Sequence, residues 1–180
     1  MRVLRTALPD VVLIEPLVHM DERGFFYESW NQRSFGEVGI AAEYVQDNHS
    51  RSERGVLRGL HYQVRRPQGK LVRVVSGEIF DVAVDLRPDS ATFGLHAAFR
   101  LSAENKTMAW IPEGFAHGFL VLSEFADVLY KATDFYAPEL ERSLLWRDPD
   151  LAIDWPLDVD PLLSEKDMVA PLLRDVELPG

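Results

Sequence analysis

The sequence predicts an all-β chain of jelly-roll type with a few short helices and an irregular C-terminal tail. Three observations predict it. Short apolar segments of strand length recur at roughly ten-residue spacing, turn residues bound each one, and helical periodicity is weak throughout. The segments fall at residues 11–14, 44–49, 56–63, 70–75, 78–86, 95–101, 107–111, 117–122 and 126–133. Between them stand Ser76-Gly77, Arg87-Pro88-Asp89, residues 102–105, Pro112-Glu113-Gly114 and Ser123-Glu124. Phe80, Val82, Val84 and Leu86 alternate with Asp81, Ala83 and Asp85, which predicts a strand with one apolar and one polar face. Asn31 is placed to cap a short helix through Val38, and Ser164 one starting at Glu165. Residues 155–180 hold four prolines and are expected to wrap the barrel as irregular structure. No linker, repeat or low-complexity stretch divides the chain, so residues 1–180 are expected to form a single domain.

Composition narrows the function. At 180 residues, 47% hydrophobic and 27% charged, the chain has the profile of an ordinary globular domain, which at this size buries roughly 70% of the unfolded surface. No apolar run approaches the ~18 residues of a membrane helix. Residues 1–9 carry two arginines and no long apolar stretch, unlike a signal peptide. Without cysteine the chain cannot form disulfides, thiolate zinc sites or cysteine nucleophiles, and it suits a reducing cytoplasm, the expected location. A formal charge of −10 argues against nucleic acid and anionic membranes as partners. An anionic small ligand would need a few arginines focused in a pocket.

The histidines raise a metal question. Gly55 and His61 fit the opening of the first cupin metal motif, and Pro112, Gly114 and His117 fit the second. Gln63 stands where the second histidine ligand belongs, and Pro67 and Gln68 where the carboxylate belongs. A catalytic metal needs about three protein donors of the right type. The pattern therefore supports the barrel and no metal is expected.

The segment at residues 56–63 offers a guanidinium and an imidazole around a glycine. In a regular strand Arg58 and His61 face opposite sides, and a bulge at Gly59 would bring both to one pocket. A lone strand histidine is more often a satisfied core residue, but His61 is not alone. Tyr130 lies on a later segment, and Tyr136, six residues on, shares its parity if the strand continues. A buried tyrosine needs a partner for its hydroxyl. A histidine and a tyrosine across a cavity form a base and an acid on opposite faces of a flat substrate. Lys70 is placed to neutralise a developing oxyanion.

Several stretches, in order along nearly the whole chain, resemble the dTDP-4-dehydrorhamnose 3,5-epimerases, cupin-fold enzymes of nucleotide-sugar metabolism. They are Asp21-Glu22-Arg23-Gly24-Phe25-Phe26 with Glu28, then residues 45–50, 56–63, 68–73, 80–85, 110–119, 129–133, 153–156 and 164–167. The resemblance implies that His61 is the proton acceptor, held by Asp167, and that Tyr130 is the proton donor. It implies that Lys70 stabilises the enolate oxygen and that Tyr136 stacks on thymine. Arg23, Glu28, Gln46, Asp47, Asn48, Arg58, His117, Glu141 and Lys166 would line the site of a dTDP-4-keto-6-deoxysugar. It further implies a homodimer with exchanged N-terminal strands, and no metal or nicotinamide cofactor.

The chemistry can be argued independently. A ketone at carbon 4 acidifies the hydrogens on carbons 3 and 5, because the carbanion is an enolate. Removing a proton from one face and returning one to the other inverts the centre without redox chemistry. Imidazole suits proton abstraction near neutral pH, and an adjacent carboxylate fixes its tautomer. Diphosphate calls for arginine forks, with Arg23 and Arg58 as candidates. Two other readings remain open: a mono-epimerase acting at carbon 3 or 5 alone, and a noncatalytic nucleotide-sugar-binding barrel.

Overall fold

The computed structural model describes residues 1–180. Its elements run β1 (Arg2–Arg5), β2 (Val12–Glu15), β3 (His19–Asp21), β4 (Gly24–Phe26), α1 (Gln32–Glu37), β5 (Gln46–Glu53), β6 (Leu57–Gln63) and β7 (Lys70–Ser76). Then follow β8 (Glu78–Asp85), β9 (His96–Ser102), β10 (Met108–Ile111), β11 (Phe115–Val121), β12 (Phe125–Ala132), β13 (Glu141–Ser143) and α2 (Glu165–Met168). A six-stranded sheet, β1-β2-β10-β7-β12-β5, faces a five-stranded one, β13-β6-β11-β8-β9, and β3 pairs with β4 as a separate hairpin. This is the cupin-type jelly roll that the segment spacing predicts.

Strand alternation sorts the side chains into three layers. Val72 and Val74 of β7, Ile79 and Ala83 of β8, Phe119 and Val121 of β11, and Ala126 and Val128 of β12 meet between the sheets. The outer face of the five-stranded sheet, with Leu60, Val82, Val84 and Leu120, is covered by Leu144, Trp146, Leu151 and Trp155 from the chain after β13. Burying each such aromatic contributes on the order of 2–3 kcal/mol. The indole of Trp155 is satisfied by donating to the Trp146 carbonyl at 2.8 Å. On the outer face of the six-stranded sheet, Ile14, Leu71 and Met108 lie under Phe35 of α1 and Ile40.

The short helices start where their caps predict. The Asn31 side chain accepts from the backbone of Arg33 and Ser34, and Ser164 accepts from Asp167. The tail is otherwise irregular, as expected, apart from a 3₁₀ turn at Leu173–Asp175.

β8 has no solvent-facing polar side, because the tail covers one face of its sheet and the barrel interior covers the other. Asp81 and Asp85 are both fully buried. Each is tolerated because it is partnered. Asp85 accepts from Arg87 at 2.7 Å and from Ser90 and Thr92, and Asp81 is bonded to His117.

Candidate active site

A cavity of about 620 Å³ lies between the sheets. Its walls follow from strand parity. Gln46, Asn48 and Ser50 of β5 point into it, while Asp47 faces outward and pairs with Lys131 at 3.0 Å. The Gln46 amide fixes the rim by accepting from the Tyr136 backbone at 2.8 Å and donating to Asn48 at 2.9 Å.

The bulge that parity demands is present. His117 of β11 pairs with His61 of β6, but Phe119 pairs with Arg58. Two residues on β6, Gly59 and Leu60, therefore stand opposite Gly118 alone on β11, and Arg58 and His61 both reach the cavity. Gly59 has φ +113 within this bulge.

α2 delivers the second half of a dyad. Asp167, nearly inaccessible to solvent, meets His61 Nε2 at 2.6 Å, and its other oxygen accepts weakly from the Gly59 N–H at 3.4 Å. Burial would raise its pKa, but the bonds from His61, Ser164 and Gly59 outweigh this and hold the carboxyl below its ordinary value. The ionised carboxylate accepts the Nε2 hydrogen and leaves Nδ1 of a neutral His61 as the basic nitrogen.

Tyr130 of β12, set between Asn48 of β5 and Val72 of β7, lines the same cavity. Burial pushes its phenol up, against the opposing pull of Arg58, so it stays protonated. Lys70 is buried, and desolvation lowers its ammonium to about 8 even though Glu141 and Asp81 support the charge. At the mouth, Tyr136 is half-exposed. Its hydroxyl donates to Glu141 at 3.1 Å, and Lys166 donates to the same carboxylate oxygen at 2.7 Å. Arg58 is oriented by its Nε donating to Ser52 at 2.9 Å.

The structure thus gathers His61, Asp167, Tyr130, Lys70, Arg58, His117, Gln46, Asn48, Tyr136, Glu141 and Lys166 around one cavity. Arg23, Glu28 and Asp47 are not among its walls in the single chain. Arg23 sits on the β3–β4 turn, almost fully exposed and paired with Asp21. Glu28 accepts from Asn31 at 2.9 Å. Tyr136 reaches the rim by a turn rather than by strand parity, since β12 ends at Ala132. Sequence reasoning missed Ser50, whose buried hydroxyl has no partner in the chain, and Ser52. Both share the strand parity of Gln46 and Asn48 on β5, a signal that could have found them. Gln63 is a buried structural amide, donating to Arg66 and accepting from Ala137. No group of three metal-ligating side chains converges anywhere in the chain.

Comparison with known proteins bears on the same arrangement. The family profile of dTDP-4-dehydrorhamnose 3,5-epimerase matches residues 5–175. The chain belongs to that family. A dTDP-4-dehydrorhamnose 3,5-epimerase of Pseudomonas aeruginosa is 62% identical over 98% of both chains. A Legionella pneumophila dTDP-6-deoxy-D-glucose-3,5-epimerase, solved in complex with dTDP-4-keto-L-rhamnose, superposes with a TM-score of 0.96 at 53% identity, covering 99% of this chain and 97% of the other. A 3'-monoepimerase of Streptomyces bikiniensis in complex with dTDP-quinovose is more distant, with a TM-score of 0.88 and 36% identity over 94% of this chain and 87% of the other. The epimerase family is thus represented along nearly the whole jelly roll, and the cavity belongs to its shared part.

Proposed function

We propose that this family member is itself a dTDP-4-dehydrorhamnose 3,5-epimerase, converting dTDP-4-dehydro-6-deoxy-D-glucose to dTDP-4-dehydro-L-rhamnose. The observation that carries the reading is that the His61–Asp167 dyad, Tyr130 and Lys70 share one cavity. His61 removes the proton next to the keto group, and Asp167 stabilises the imidazolium that forms. Lys70 meets the charge that moves to the carbon-4 oxygen, an interaction strengthened by the dry surroundings. Tyr130 returns a proton from the other face. Arg58 holds diphosphate and Tyr136 stacks on the base, with Glu141 and Lys166 fixing its ring. Residues 1–180 act as one catalytic unit. Inversion at both carbons is supported by the 62% and 53% identity to proteins named as 3,5-epimerases.

Solvent deuterium tests this reading. Incubation of the 4-keto sugar with the protein in heavy water should label carbons 3 and 5, and His61→Ala should nearly abolish both. Label at one carbon only would make it a mono-epimerase, and binding without any label would make it a noncatalytic barrel.

The reading includes a homodimer. Met20, Phe25 and Phe26 on the β3–β4 hairpin are 70%, 58% and 72% exposed. Such a hairpin is marginal alone, and a second copy would cover it and receive Arg23 and Glu28 at its pocket. Mixing Arg23→Ala with His61→Ala subunits then regenerates one intact site per heterodimer, restoring up to about a quarter of wild-type activity for random pairing of two-fold dimers. No recovery would put Arg23 to work in its own subunit or nowhere. The location proposed is the cytoplasm, because a nucleotide diphosphate does not cross a membrane unaided.

A further inference from the structure

Beside the first imidazole–carboxylate pair stands a second, to which the reaction as described gives no task. His117 lies directly across from His61 on the neighbouring strand, with both rings on the inward face. Opposed residues of this kind hold their Cβ atoms roughly 5 Å apart. Asp81 is the diagonal neighbour on β8, next to Ala83, which pairs with His117. Both of its oxygens approach His117 Nε2, at 3.0 and 2.9 Å. The carboxylate is 0% exposed and the imidazole 7%.

A carboxylate in such a place is costly and persists only if its charge is used. Lys70 has the complementary problem, being a buried ammonium without a counterion of its own. The carboxylates whose charge reaches it, Glu141 and Asp81, are each bonded elsewhere, to Lys166 and to His117. Lys70 therefore depends on charge at a distance across the barrel.

We propose that Asp81 is a positioning residue for the enolate-binding side of the cavity, fixing the tautomer of His117 and supplying the counter-charge that keeps Lys70 an ammonium. Asp81 accepts the Nε2 hydrogen, so a neutral His117 keeps Nδ1 as an acceptor for a hydroxyl of the bound sugar. The same bond keeps its ring from turning toward His61, whose basic nitrogen must remain free. Lys70, on the opposite sheet, receives the negative field of the pair. The proposal rests on the reading of Lys70 as the cation that meets the enolate.

The field at Lys70 has several sources. The anions around the cavity are Asp81 of β8, Glu141 of β13 and Asp167 of α2. The cations are Arg58 of β6 and Lys166 of α2, the imidazoles of His61 on β6 and His117 on β11 stand between them, and Tyr130 of β12 stays neutral. Burial already holds Lys70 down to about 8. Removing the charge of Asp81 lowers it further, so the ammonium is lost at lower pH.

The test is Asp81→Asn, read by the pH dependence of kcat/KM and by the split between kcat and KM. The expected result is a kcat lower by ~10²-fold, the scale of one lost preorganised interaction, with KM within about threefold and the alkaline limb displaced to lower pH. A merely structural aspartate would leave that limb in place. Asp81→Glu, which restores the charge, should return the limb toward the wild-type position. Unchanged kcat with an unmoved limb would overturn the proposal. Should Asp81→Asn not fold, ¹⁵N shifts of His117 in the wild-type protein decide: an Nε2–H tautomer supports the proposal and an Nδ1–H tautomer overturns it. Deuterium wash-in by the wild-type protein, run alongside, separates failure of this proposal from failure of the epimerase reading.

Discussion

Gly59→Ala tests whether the bulge in β6 is what builds the site. A Cβ at this position would lie 2.7 Å from both the Cα of Gly118 and the carbonyl oxygen of His117, all backbone atoms of the adjoining strand. Neither can rotate away, so β6 and β11 must separate. The backbone also sits at φ +113, where an L side chain is strained. Strain of ~1–3 kcal/mol and forced overpacking of ~1–3 kcal/mol together give a loss of ~4 kcal/mol. For a chain of this size that lowers the midpoint of melting by ~8–16 °C. Gly55→Ala separates the two contributions. Gly55 has φ +80 but nothing within 4 Å of a built Cβ, so it should cost only the left-handed penalty of ~1–2 kcal/mol. Urea melts of both variants give the stabilities, and deuterium wash-in at a temperature where both are folded gives the chemistry. Folded Gly59→Ala should lose most of its exchange, since His61 and Arg58 no longer share a side, whereas Gly55→Ala should keep it. Equal stability of the two variants, or full exchange in Gly59→Ala, would refute the reasoning.

Tyr136→Ala should raise KM about tenfold or more and change kcat little, because stacking on a base is worth ~1–3 kcal/mol; steady-state kinetics checks it. Asp167→Asn should lower kcat by ~10²–10⁴-fold, the usual reach of acid–base catalysis, with product-analogue binding retained by calorimetry. The same variant should flatten the acid side of the stability curve. The Asp167 carboxyl is held below its ordinary 3.8 in the fold, so it stabilises the folded state above that pH and the benefit fades as pH falls through the folded value. Asp85→Ala should cost ~1–3 kcal/mol by taking the buried acceptor from Ser90 and Thr92, while Arg87, a third exposed, keeps its bond to Asp10. Burial would raise Asp85, but Arg87, Ser90 and Thr92 hold it well below the carboxylate range. Its stabilisation too is present above 3.8 and lost only in strong acid, which acid melts of wild type and variant would reveal.

How far the sequence reached depends on how local each cause is. Strand alternation is local, and it gave the opposed sides of Arg58 and His61 and the need for a bulge between them, whereas Gln46 and Asn48 came only with the resemblance. Caps are local too, and Asn31 and Ser164 start helices where they stand. β1, β3, β4 and β13 escaped notice because each is three or four residues long and carries no readable alternation. Alternation gave β8 a polar side but not its burial, because only the tail's docking decides that both faces are covered. Asp81 carried no sign of its burial, and its partner His117 lies 36 residues away in sequence. Tyr136 reached the cavity for a reason parity does not contain, a turn pinned by Gln46. The resemblance, spread along the chain, named the dyad that no spacing rule joins, since His61 and Asp167 are 106 residues apart.

That separation has a consequence for how the enzyme comes into being. Every strand of the two sheets is complete by Ser143, yet the carboxylate that orients the base arrives with α2. On the ribosome, the strands can pair while His61 still lacks its carboxylate partner. The leucines and tryptophans that seal the outer sheet lie on the same late segment. Covering the outer sheet and pairing His61 with Asp167 both fall to the segment that follows the last strand.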